Sequence, residues 1–543
     1  MSSAAEIATQ RVPQDHDKNP WWIGAVGYEI YIRSFADADG SGLGDLTGIQ
    51  DKLEYLSWLG VDAIWITPFY QSPGLDHGYD VADYCGINPA HGSIEDFDKL
   101  VSKAHKLGLR VVIDLVPNHS SSHHAWFQNA LTSKEAEFRD FYIWRDPAPG
   151  GGPPNNWVSH FGGPAWTLDP ASNQYYCHLF LPEQPDLNWA NPAVRDAIDD
   201  VYRFWCEAGV DGFRLDVAHG LIKHPDFLDN PQIRPITDDM GPTAIFESYN
   251  HQYDLDQDEN TEIYERWNKL VAPYDAILLG EFNAPTPDRI ARSSEGNRLH
   301  RSFFLRPGWT HWDPEALVEM IQTTHDCSPD GLSWILNNHD QPRSVSRFGG
   351  GNIGLRRTQA TTTLLFGLGG MPFLYQGEEL GLDNSKIHAQ DREDPVWTRN
   401  DSAEVGRDVT RGGMPWEPGE TNGFTQGVPW LREIPRDPSQ TVSEQRDNVT
   451  SPLYWYRALL AMRRANPALW TEELSWVPTG DATSLAFTRG NVAVAANLGP
   501  DPIVVSFPHA LQPIFESTNG STAVNGTKVT IAGESSVVLS YTA

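Results

Sequence analysis

The sequence predicts a (β/α)₈ barrel with an inserted subdomain after its third strand and an all-β domain at its C-terminal end. The first two-thirds of the 543 residues alternate short apolar segments with amphipathic ones, and eight strand-like segments can be counted. The pattern then changes to closely spaced short strands, which is typical of a separate all-β unit. A doubly wound sheet is the alternative, but it does not usually place reactive groups after so many different strands.

The strand-like segments of the barrel are nearly continuous runs of apolar residues. Such strands are typical of a parallel sheet that is covered on both faces. The predicted strands are Val26–Phe35, Val61–Phe69, Arg110–Val116, Gly212–Val217, Ala276–Phe282, Ser302–Leu305, Leu332–Asn337 and Met371–Tyr375. Helical spacing of apolar residues predicts helices over Leu46–Leu59, Ile94–Leu107, Pro192–Ala208 and Pro452–Arg464.

Two irregular stretches interrupt the alternation. The first is rich in Gly, Pro, Asn and aromatic residues, and a structureless loop of that length would be unusual. We therefore predict the first part of the barrel over residues 1–117 and an inserted domain over 118–186. The second part of the barrel follows over 187–465, with a long excursion near 381–448. The C-terminal domain, 466–543, is predicted to be a β-sandwich with strands Ser484–Thr488, Val492–Asn497, Ile503–Phe507, Lys528–Ile531 and Ser536–Tyr541.

The formal net charge of −32 argues against nucleic acid and anionic lipid as partners. A small neutral or cationic substrate fits this charge better. The four cysteines are widely spaced and form no metal-type cluster, so free thiols in a reducing compartment are expected. The stretch Met1–Pro20 is polar and no apolar run is long enough to cross a membrane, which predicts a cytoplasmic protein. We expect a monomer or a small homo-oligomer.

Three acidic residues stand where predicted barrel strands end: Asp216, Glu281 and Asp340. One acidic residue at such a position is commonly a helix cap. Three on the same barrel face are harder to explain by structure, because clustered negative charge is unfavourable unless function requires it. Two carboxylates are the minimum for hydrolysing a glycosidic bond. Arg214 lies two residues before Asp216, so it points to the same side and can keep Asp216 ionised.

Four segments resemble ordered motifs of the α-amylase superfamily (glycoside hydrolase family 13). They are Asp-Leu-Val-Pro-Asn-His119, Gly-Phe-Arg-Leu-Asp216, Leu-Gly-Glu281 and Asn-His339-Asp340. The resemblance covers nearly the whole chain. It implies that Asp216 is the nucleophile, Glu281 the general acid/base and Asp340 a carboxylate that stabilises the transition state. It also implies retention through a covalent glycosyl-enzyme, with the first two carboxyl groups about 5 Å apart and no cofactor for catalysis.

Further segments resemble sugar-binding parts of this family. Gln184-Pro-Asp-Leu-Asn188 is similar to the segment of oligo-1,6-glucosidases and their α-glucosidase relatives. The segments Asp76-His-Gly-Tyr79-Asp80 and Arg407-Asp-Val-Thr-Arg411 resemble loops that grip the non-reducing sugar. The alternative for the aromatic residues and histidines is packing in the core. The candidate substrate contacts are Asp80, Tyr79, His119, Arg214, His339, Arg411 and Phe161.

A Gly-rich loop places oxygen ligands at alternate positions: Asp37, Asp39, Ser41, Leu43 and Asp45. Hard cations such as Ca²⁺ or Mg²⁺ prefer several oxygens in a tight curl of this kind. The loop resembles the calcium loop of the oligo-1,6-glucosidase relatives, although those usually have Asp where this chain has Ser41. The sequence therefore predicts a structural cation here, and a turn capped by Asp side chains is the alternative.

The resemblance implies an exo-acting α-glucosidase that removes terminal α-linked glucose from short oligosaccharides. Val217, after the nucleophile, is typical of relatives that cut α-1,6 bonds, whereas the following Ala218-His219-Gly220 resembles enzymes acting on maltose-type substrates. The linkage therefore stays open. The alternative is a relative that transfers or isomerises glucosyl groups, such as a trehalose synthase or sucrose isomerase. A non-catalytic relative is disfavoured because all three acids are present.

Overall fold

The computed structural model describes residues 20–283, 286–329, 331–399 and 405–542. Most of the polar stretch Met1–Pro20, for which no signal peptide is expected, lies outside these residues. Eight parallel strands form one sheet, in which successive strands along the chain are neighbours and the eighth lies beside the first. A parallel bridge between Ile335 and Phe373 joins the two ends of the sheet, so the predicted barrel is confirmed. The strands are β1 Gly27–Ile30, β2 Ala63–Ile66, β3 Arg110–Leu115, β4 Gly212–Leu215, β5 Ile277–Phe282, β6 Arg301–Phe304, β7 Leu332–Trp334 and β8 Phe373–Tyr375.

Helices connect successive strands along the outside of the barrel. Several begin with a capping side chain; Asp45, for example, accepts a hydrogen bond from the backbone of Gly48 at the start of α1. Ser93 and Asp96 form a reciprocal capping box at the start of α2. The main helices are α1 Leu46–Leu59, α2 Ile94–Lys106, α3 Pro192–Glu207, α4 Asn260–Val271, α5 Pro287–Ser293, α6 Pro314–Cys327, α7 Gly351–Gly367 and α8 Pro452–Ala465.

The barrel interior is filled by side chains that alternate along each strand. Trp65 of β2, Leu279 of β5 and Phe303 of β6 belong to one buried apolar cluster. Towards the C-terminal end of the strands this filling changes from apolar to charged, because Glu29, Asp114 and Arg214 are buried there. The site therefore lies directly above a packed core, as is usual in barrels of this kind.

The first strand is shorter than the sequence pattern predicts. The apolar run Val26–Phe35 divides into β1 and a single helical turn, Ile32–Phe35. The backbone N–H of Tyr31 donates to the side chain of Gln376, at 2.9 Å, and that of Ile32 donates to Thr67, at 3.1 Å. Side chains thus take the hydrogen bonds that a continuing strand would give to its neighbours.

The segment that follows β3 folds over the C-terminal end of the barrel. It contains a helix, Ala125–Ala130, and a three-stranded antiparallel sheet of Trp144–Arg145, Gln174–Cys177 and Trp166–Asp169. A bridge between His119 and Asp186 joins its two ends. This closure fixes the segment as one excursion from the barrel, above β3 and β4.

The stretch from 381 to 448 consists of turns and short helical pieces, including Pro395–Thr398, Asp408–Thr410 and Val442–Arg446. Residues 400–404 of this predicted excursion lie outside the described residues. None of the helices in the described part of the chain is long and apolar enough to span a membrane. All four cysteines are free thiols.

The C-terminal strands form two antiparallel sheets. In the larger sheet the order of neighbouring strands is Leu474–Trp476, Ser484–Arg489, Val492–Asn497, Ser535–Tyr541 and Leu511–Glu516. In the smaller sheet it is Ile503–Ser506, Lys528–Ile531 and Thr522–Asn525. Val505, Val529 and Leu539 belong to the apolar core that the two sheets share. The strands are β9 Leu474–Trp476, β10 Ser484–Arg489, β11 Val492–Asn497, β12 Ile503–Ser506, β13 Leu511–Glu516, β14 Thr522–Asn525, β15 Lys528–Ile531 and β16 Ser535–Tyr541.

Candidate active site

One guanidinium group joins two of the three predicted catalytic carboxylates. Arg214 Nη1 lies 2.8 Å from Asp216 Oδ1, and Nη2 lies 2.7 Å from Glu281 Oε1. Nη1 also pairs with Asp114 Oδ1 at 2.7 Å. Arg214 points inward from β4, and its side chain is 1 % exposed. The fixed fork of the guanidinium therefore holds Asp216 and Glu281 close together at the ends of β4 and β5.

The turn after the nucleophile candidate is strained. Val217 has φ 46° and ψ 45°, a left-handed conformation that is unfavourable for a β-branched residue. In this conformation its backbone N–H donates to Glu281 Oε2 at 3.0 Å. The turn thus fixes the second oxygen of Glu281, while Arg214 fixes the first.

His339 lies at the centre of a second group of side chains. Its Nε2 is 2.9 Å from the hydroxyl of Tyr79 and 3.2 Å from Asp340 Oδ2. Its Nδ1 is 2.5 Å from Glu29 Oε1. The rings of Tyr79 and His339 stack at 5.5 Å between centroids. The Tyr79 hydroxyl also donates to Asp114, at 3.1 Å, which connects this group to Arg214.

Asp340 follows β7 and pairs with cations from the excursion after β8. Its Oδ1 is 2.8 Å from Arg411 Nη2 and 3.5 Å from Arg407 Nη1. Arg411 also donates to the carbonyl oxygen of His339, at 3.0 Å. The excursion therefore completes the site, because it supplies the positive charge that faces the third carboxylate.

Asp80 directly follows Tyr79 in the same loop, and its side chain is fully buried. Its oxygens accept hydrogen bonds from the Ser72 hydroxyl and from the backbone N–H groups of Leu75 and Asp76. These three hydrogen bonds connect its carboxylate to the loop. Asp76 instead pairs with Arg407 at 2.8 Å, on the same guanidinium that faces Asp340.

Glycine allows the close turn between these two aspartates. Gly78 has φ +114°, and a side chain there would meet the carbonyl oxygen of Pro68 at 2.8 Å. The chain therefore passes tightly over the end of β2. This turn directs Tyr79 into the barrel mouth.

The remaining predicted sugar contacts lie around the same opening. His119 Nε2 is 3.2 Å from the carbonyl oxygen of Tyr79 and 3.1 Å from the Gln184 amide nitrogen. Gln184 also donates to Asp76, at 3.1 Å. The ring of Phe161 lies 5.2 Å from the Arg407 guanidinium. The structure thus gathers the predicted residues around one opening, with Asp80 beneath it.

The site combines burial with compensating charge. Burial raises the pKa of Asp216 well above its ordinary value, whereas Arg214 acts to lower it. Burial likewise raises the pKa of Asp114 to about 6. For Asp340, burial is outweighed by His339, Arg411 and Arg407, so its pKa is lowered below the ordinary value. Asp340 is therefore held as a carboxylate by the positive groups around it.

The predicted metal loop brings three carboxylates together. Oxygen atoms of Asp37, Asp39 and Asp45 all lie within 4.8 Å of one another. Asp37 accepts hydrogen bonds from the backbone N–H groups of Gly40 and Gly42, which curl the loop. The Ser41 hydroxyl is 3.3 Å from the carbonyl oxygen of Leu43. The donor set is all oxygen, which fits Ca²⁺ or Mg²⁺.

Sequence reasoning missed three residues of the site: Glu29, Asp76 and Arg407. Glu29 is a charged residue in an otherwise apolar strand, and this is a signal that could have found it. Asp76 and Arg407 each begin a segment from which the last residue, Asp80 or Arg411, was predicted as a substrate contact. In the structure Arg407 and Arg411 both pair with Asp340, so residues from both ends of that segment lie at the site.

Comparison with known proteins identifies related sequences. The model of the alpha-amylase catalytic domain matches residues 29–472. A probable alpha-glucosidase of Rhizobium meliloti (strain 1021) is 39% identical over 502 residues, which is 90% of each chain. The trehalose-6-phosphate hydrolase of Escherichia coli (strain K12) is 39% identical over 487 residues, 83% of this chain and 85% of its own.

A solved structure gives the same picture. The crystal structure of the alpha-glucosyl transfer enzyme XgtA has a TM-score of 0.90 and 37% sequence identity to this chain. The match covers 97% of this chain and 100% of that chain. Both the barrel and the C-terminal sheets are therefore shared with a glucosyl-transferring enzyme. With the family model spanning most of its length, the chain belongs to the alpha-amylase family of glycoside hydrolases.

Proposed function

We propose that the protein is a retaining, exo-acting α-glucosidase of short oligosaccharides or small α-glucosides. The observation that carries this proposal is the single guanidinium of Arg214 on Asp216 and Glu281. Because both carboxyl groups are bound to one guanidinium, we propose that they are close enough for Asp216 to attack the sugar with no water molecule between them. Close carboxyl groups are typical of retaining enzymes, in which one of them attacks the sugar directly.

The proposed reaction has two steps. Asp216 attacks the anomeric carbon while Glu281 gives its proton to the leaving glycosidic oxygen, so a glucosyl ester forms as the glycosidic bond breaks. Glu281, now a carboxylate, then takes a proton from water, whose oxygen displaces Asp216 from the anomeric carbon. Asp340 stays ionised throughout and stabilises the positive charge that develops on the sugar ring.

The surroundings of the pocket favour a small sugar over a long polymer. Arg407 is anchored by Asp394, at 3.0 Å, and contacts both Asp76 and Asp340. Phe161 from the segment after β3 lies over the same guanidinium. We propose that these groups close the pocket behind the terminal glucose. His119, His339, Tyr79, Arg214 and Arg411 then contact its hydroxyls or ring, and Asp80 contributes through the loop that it holds.

Transfer of glucose to another sugar is the second candidate, since the alpha-glucosyl transfer enzyme XgtA shares the fold over nearly the whole chain. Both candidates form the same glucosyl-enzyme and differ only in the acceptor. Chromatography of products from maltose, isomaltose, sucrose, trehalose and maltotriose separates them. Mostly free glucose supports hydrolysis, whereas new oligosaccharides or isomers with little free glucose would establish transfer.

The site assignment is tested on an aryl α-glucoside. Asp216→Asn should lose turnover by roughly a thousandfold or more, because no nucleophile remains. Glu281→Gln should be impaired most on substrates with poor leaving groups, since these need the proton. Asp200→Asn, an exposed carboxylate on α3, is the matched control and should stay fully active. Full turnover by Asp216→Asn would refute the assignment.

We also propose that the loop of Asp37, Asp39, Ser41, Leu43 and Asp45 holds a structural Ca²⁺ or Mg²⁺, with no part in the chemistry. The gathered carboxylates support this proposal. We further propose that the protein is cytoplasmic and that it is a monomer or a small homo-oligomer. The four free thiols support a reducing compartment. Cell fractionation and light scattering test these two points.

A further inference from the structure

Glu29 is a buried acid that the proposed reaction does not use. It lies on β1, beside Trp65 of β2 and Tyr375 of β8, and it is fully buried. A carboxyl group in such a place is costly unless another group compensates it. Its Oε2 makes no hydrogen bond to any residue in the described part of the chain. All its hydrogen bonding is thus directed through Oε1.

The single partner of this oxygen is His339. The distance from Oε1 to Nδ1 is 2.5 Å, and the backbone N–H of His339 also donates to Oε1, at 3.3 Å. A contact this short between an oxygen and a ring nitrogen requires a proton between them. Glu29 therefore controls the side of the imidazole that faces away from the pocket.

The other ring nitrogen faces the reaction. His339 Nε2 is 3.2 Å from Asp340 Oδ2, and Asp340 is held as a carboxylate by Arg411 and Arg407. The Tyr79 hydroxyl, at 2.9 Å from Nε2, donates its own proton to Asp114 and so offers an acceptor oxygen to Nε2. A lone pair on Nε2 would face both this oxygen and the Asp340 carboxylate, so we place a proton on Nε2. With one proton on Nε2 and another shared between Nδ1 and Glu29, the imidazole needs an acid or a carboxylate at position 29.

We infer that Glu29 is a positioning residue that makes His339 a hydrogen-bond donor at Nε2, towards Asp340 and the bound sugar. The inference rests on the proposed function. It explains why a strand in the barrel core carries an acid directly below the site. Glu29 touches neither the reacting atoms nor the sugar and acts through the histidine alone.

Burial and neighbouring charged groups determine how the proton is shared between Glu29 and His339. Burial raises the pKa of Glu29 and lowers that of His339, so neither group is stable as an isolated charge. Sharing one proton avoids both costs. The titratable and charged groups that face Glu29 are Arg214, Asp340, Asp114, His339 and Tyr375.

The test compares Glu29→Gln and Glu29→Leu with the wild type on an aryl α-glucoside. Leucine removes the partner of Nδ1, and kcat/KM should fall roughly 10- to 100-fold, as when the outer partner of a metal-binding histidine is removed. The loss should be mainly in kcat. Glutamine offers an amide that can still pair with Nδ1, so Glu29→Gln should recover part of the loss. Glu379→Gln is the matched control, because Glu379 is equally buried but pairs with Tyr28 and Tyr55.

A double-mutant cycle separates positioning from folding. In a His339→Ala background, Glu29→Leu should change kcat/KM by no more than about twofold, because the imidazole through which Glu29 acts is already absent. Active sites are counted by trapping with a slow fluorinated substrate, so misfolded protein does not affect the result. An equal loss in both backgrounds, or wild-type activity of Glu29→Leu, would overturn the inference. A wild type that turns over no α-glucoside would overturn the proposed function and this inference with it.

Discussion

Replacing Arg214 with leucine tests the charge balance of the site. Arg214 is the partner of three carboxylates at 2.7–2.8 Å, and its side chain is 1 % exposed. At a charge separation of about 4 Å and an effective dielectric constant of about 20, one such pair is worth about 4 kcal/mol. If this attraction is lost from ionised Asp216, kcat/KM at neutral pH should fall about a thousandfold.

The sign of the pH effect follows from the same contact. Burial raises the pKa of Asp216 and Arg214 lowers it, so removing Arg214 raises that pKa further. The nucleophile must be ionised, so the acid limb of the kcat/KM profile should move to higher pH in Arg214→Leu. Unfolding free energy should fall by about 3–5 kcal/mol, as when one partner of a buried ion pair is removed.

The assay is kcat/KM for an aryl α-glucoside across pH, with urea unfolding of the same samples. Arg203→Leu is the control, because Arg203 is 45% exposed on α3 and pairs with Asp199 and Asp200 of the same helix. It should change stability by no more than about 0.5 kcal/mol and leave the pH profile unchanged. The reasoning is refuted if Arg214→Leu stays within about tenfold of wild type with an unmoved acid limb.

Three further predictions concern stability and substrate binding. The folded pKa of Asp216 is raised, so the ionised carboxylate lowers stability at pH values above that pKa. Asp216→Asn should therefore raise the unfolding free energy at pH 7, with a gain that shrinks in acid, and lower stability at pH 7 would contradict this. Ca²⁺ or Mg²⁺ at about 100 times its dissociation constant should stabilise the protein by about 2.7 kcal/mol in thermal unfolding. Asp39→Asn should reduce that gain, and equal melting in chelator and in cation would exclude the site. Asp76→Asn breaks the pair with Arg407 and should lower kcat/KM roughly 10- to 100-fold, whereas Asp83→Asn, an exposed residue on the same connection, should not.

Much of the barrel could be predicted from the sequence because its strands are short and apolar. The helix Leu46–Leu59 and the strand Val492–Asn497 have the predicted bounds. Strand ends were overextended where side chains interrupt the ladder, as Gln376 does at Tyr31. The strand Leu511–Glu516 escaped prediction because it contains Pro513, next to an irregular register.

Site residues could be predicted from the sequence where a motif holds one candidate for a given role. They were harder to predict where a motif holds two candidates for the same role. Asp216 and Glu281 lie at strand ends, Asp340 follows β7, and each was the one acidic candidate of its motif. The choice between Asp76 and Asp80 depends on a turn around Gly78 that only the folded chain shows. Glu29 depends on a partner 310 residues away, which no local pattern reveals.

The covalent bond between Asp216 and glucose is the central step of the proposed mechanism. A slow fluorinated α-glucosyl fluoride should trap this intermediate, and mass spectrometry of peptides locates it. We expect one fluoroglucosyl adduct per chain on Asp216. With an ordinary α-glucoside as substrate, proton NMR should show α-glucose as the first product. An adduct on a different residue, or a first product with inverted configuration, would contradict it.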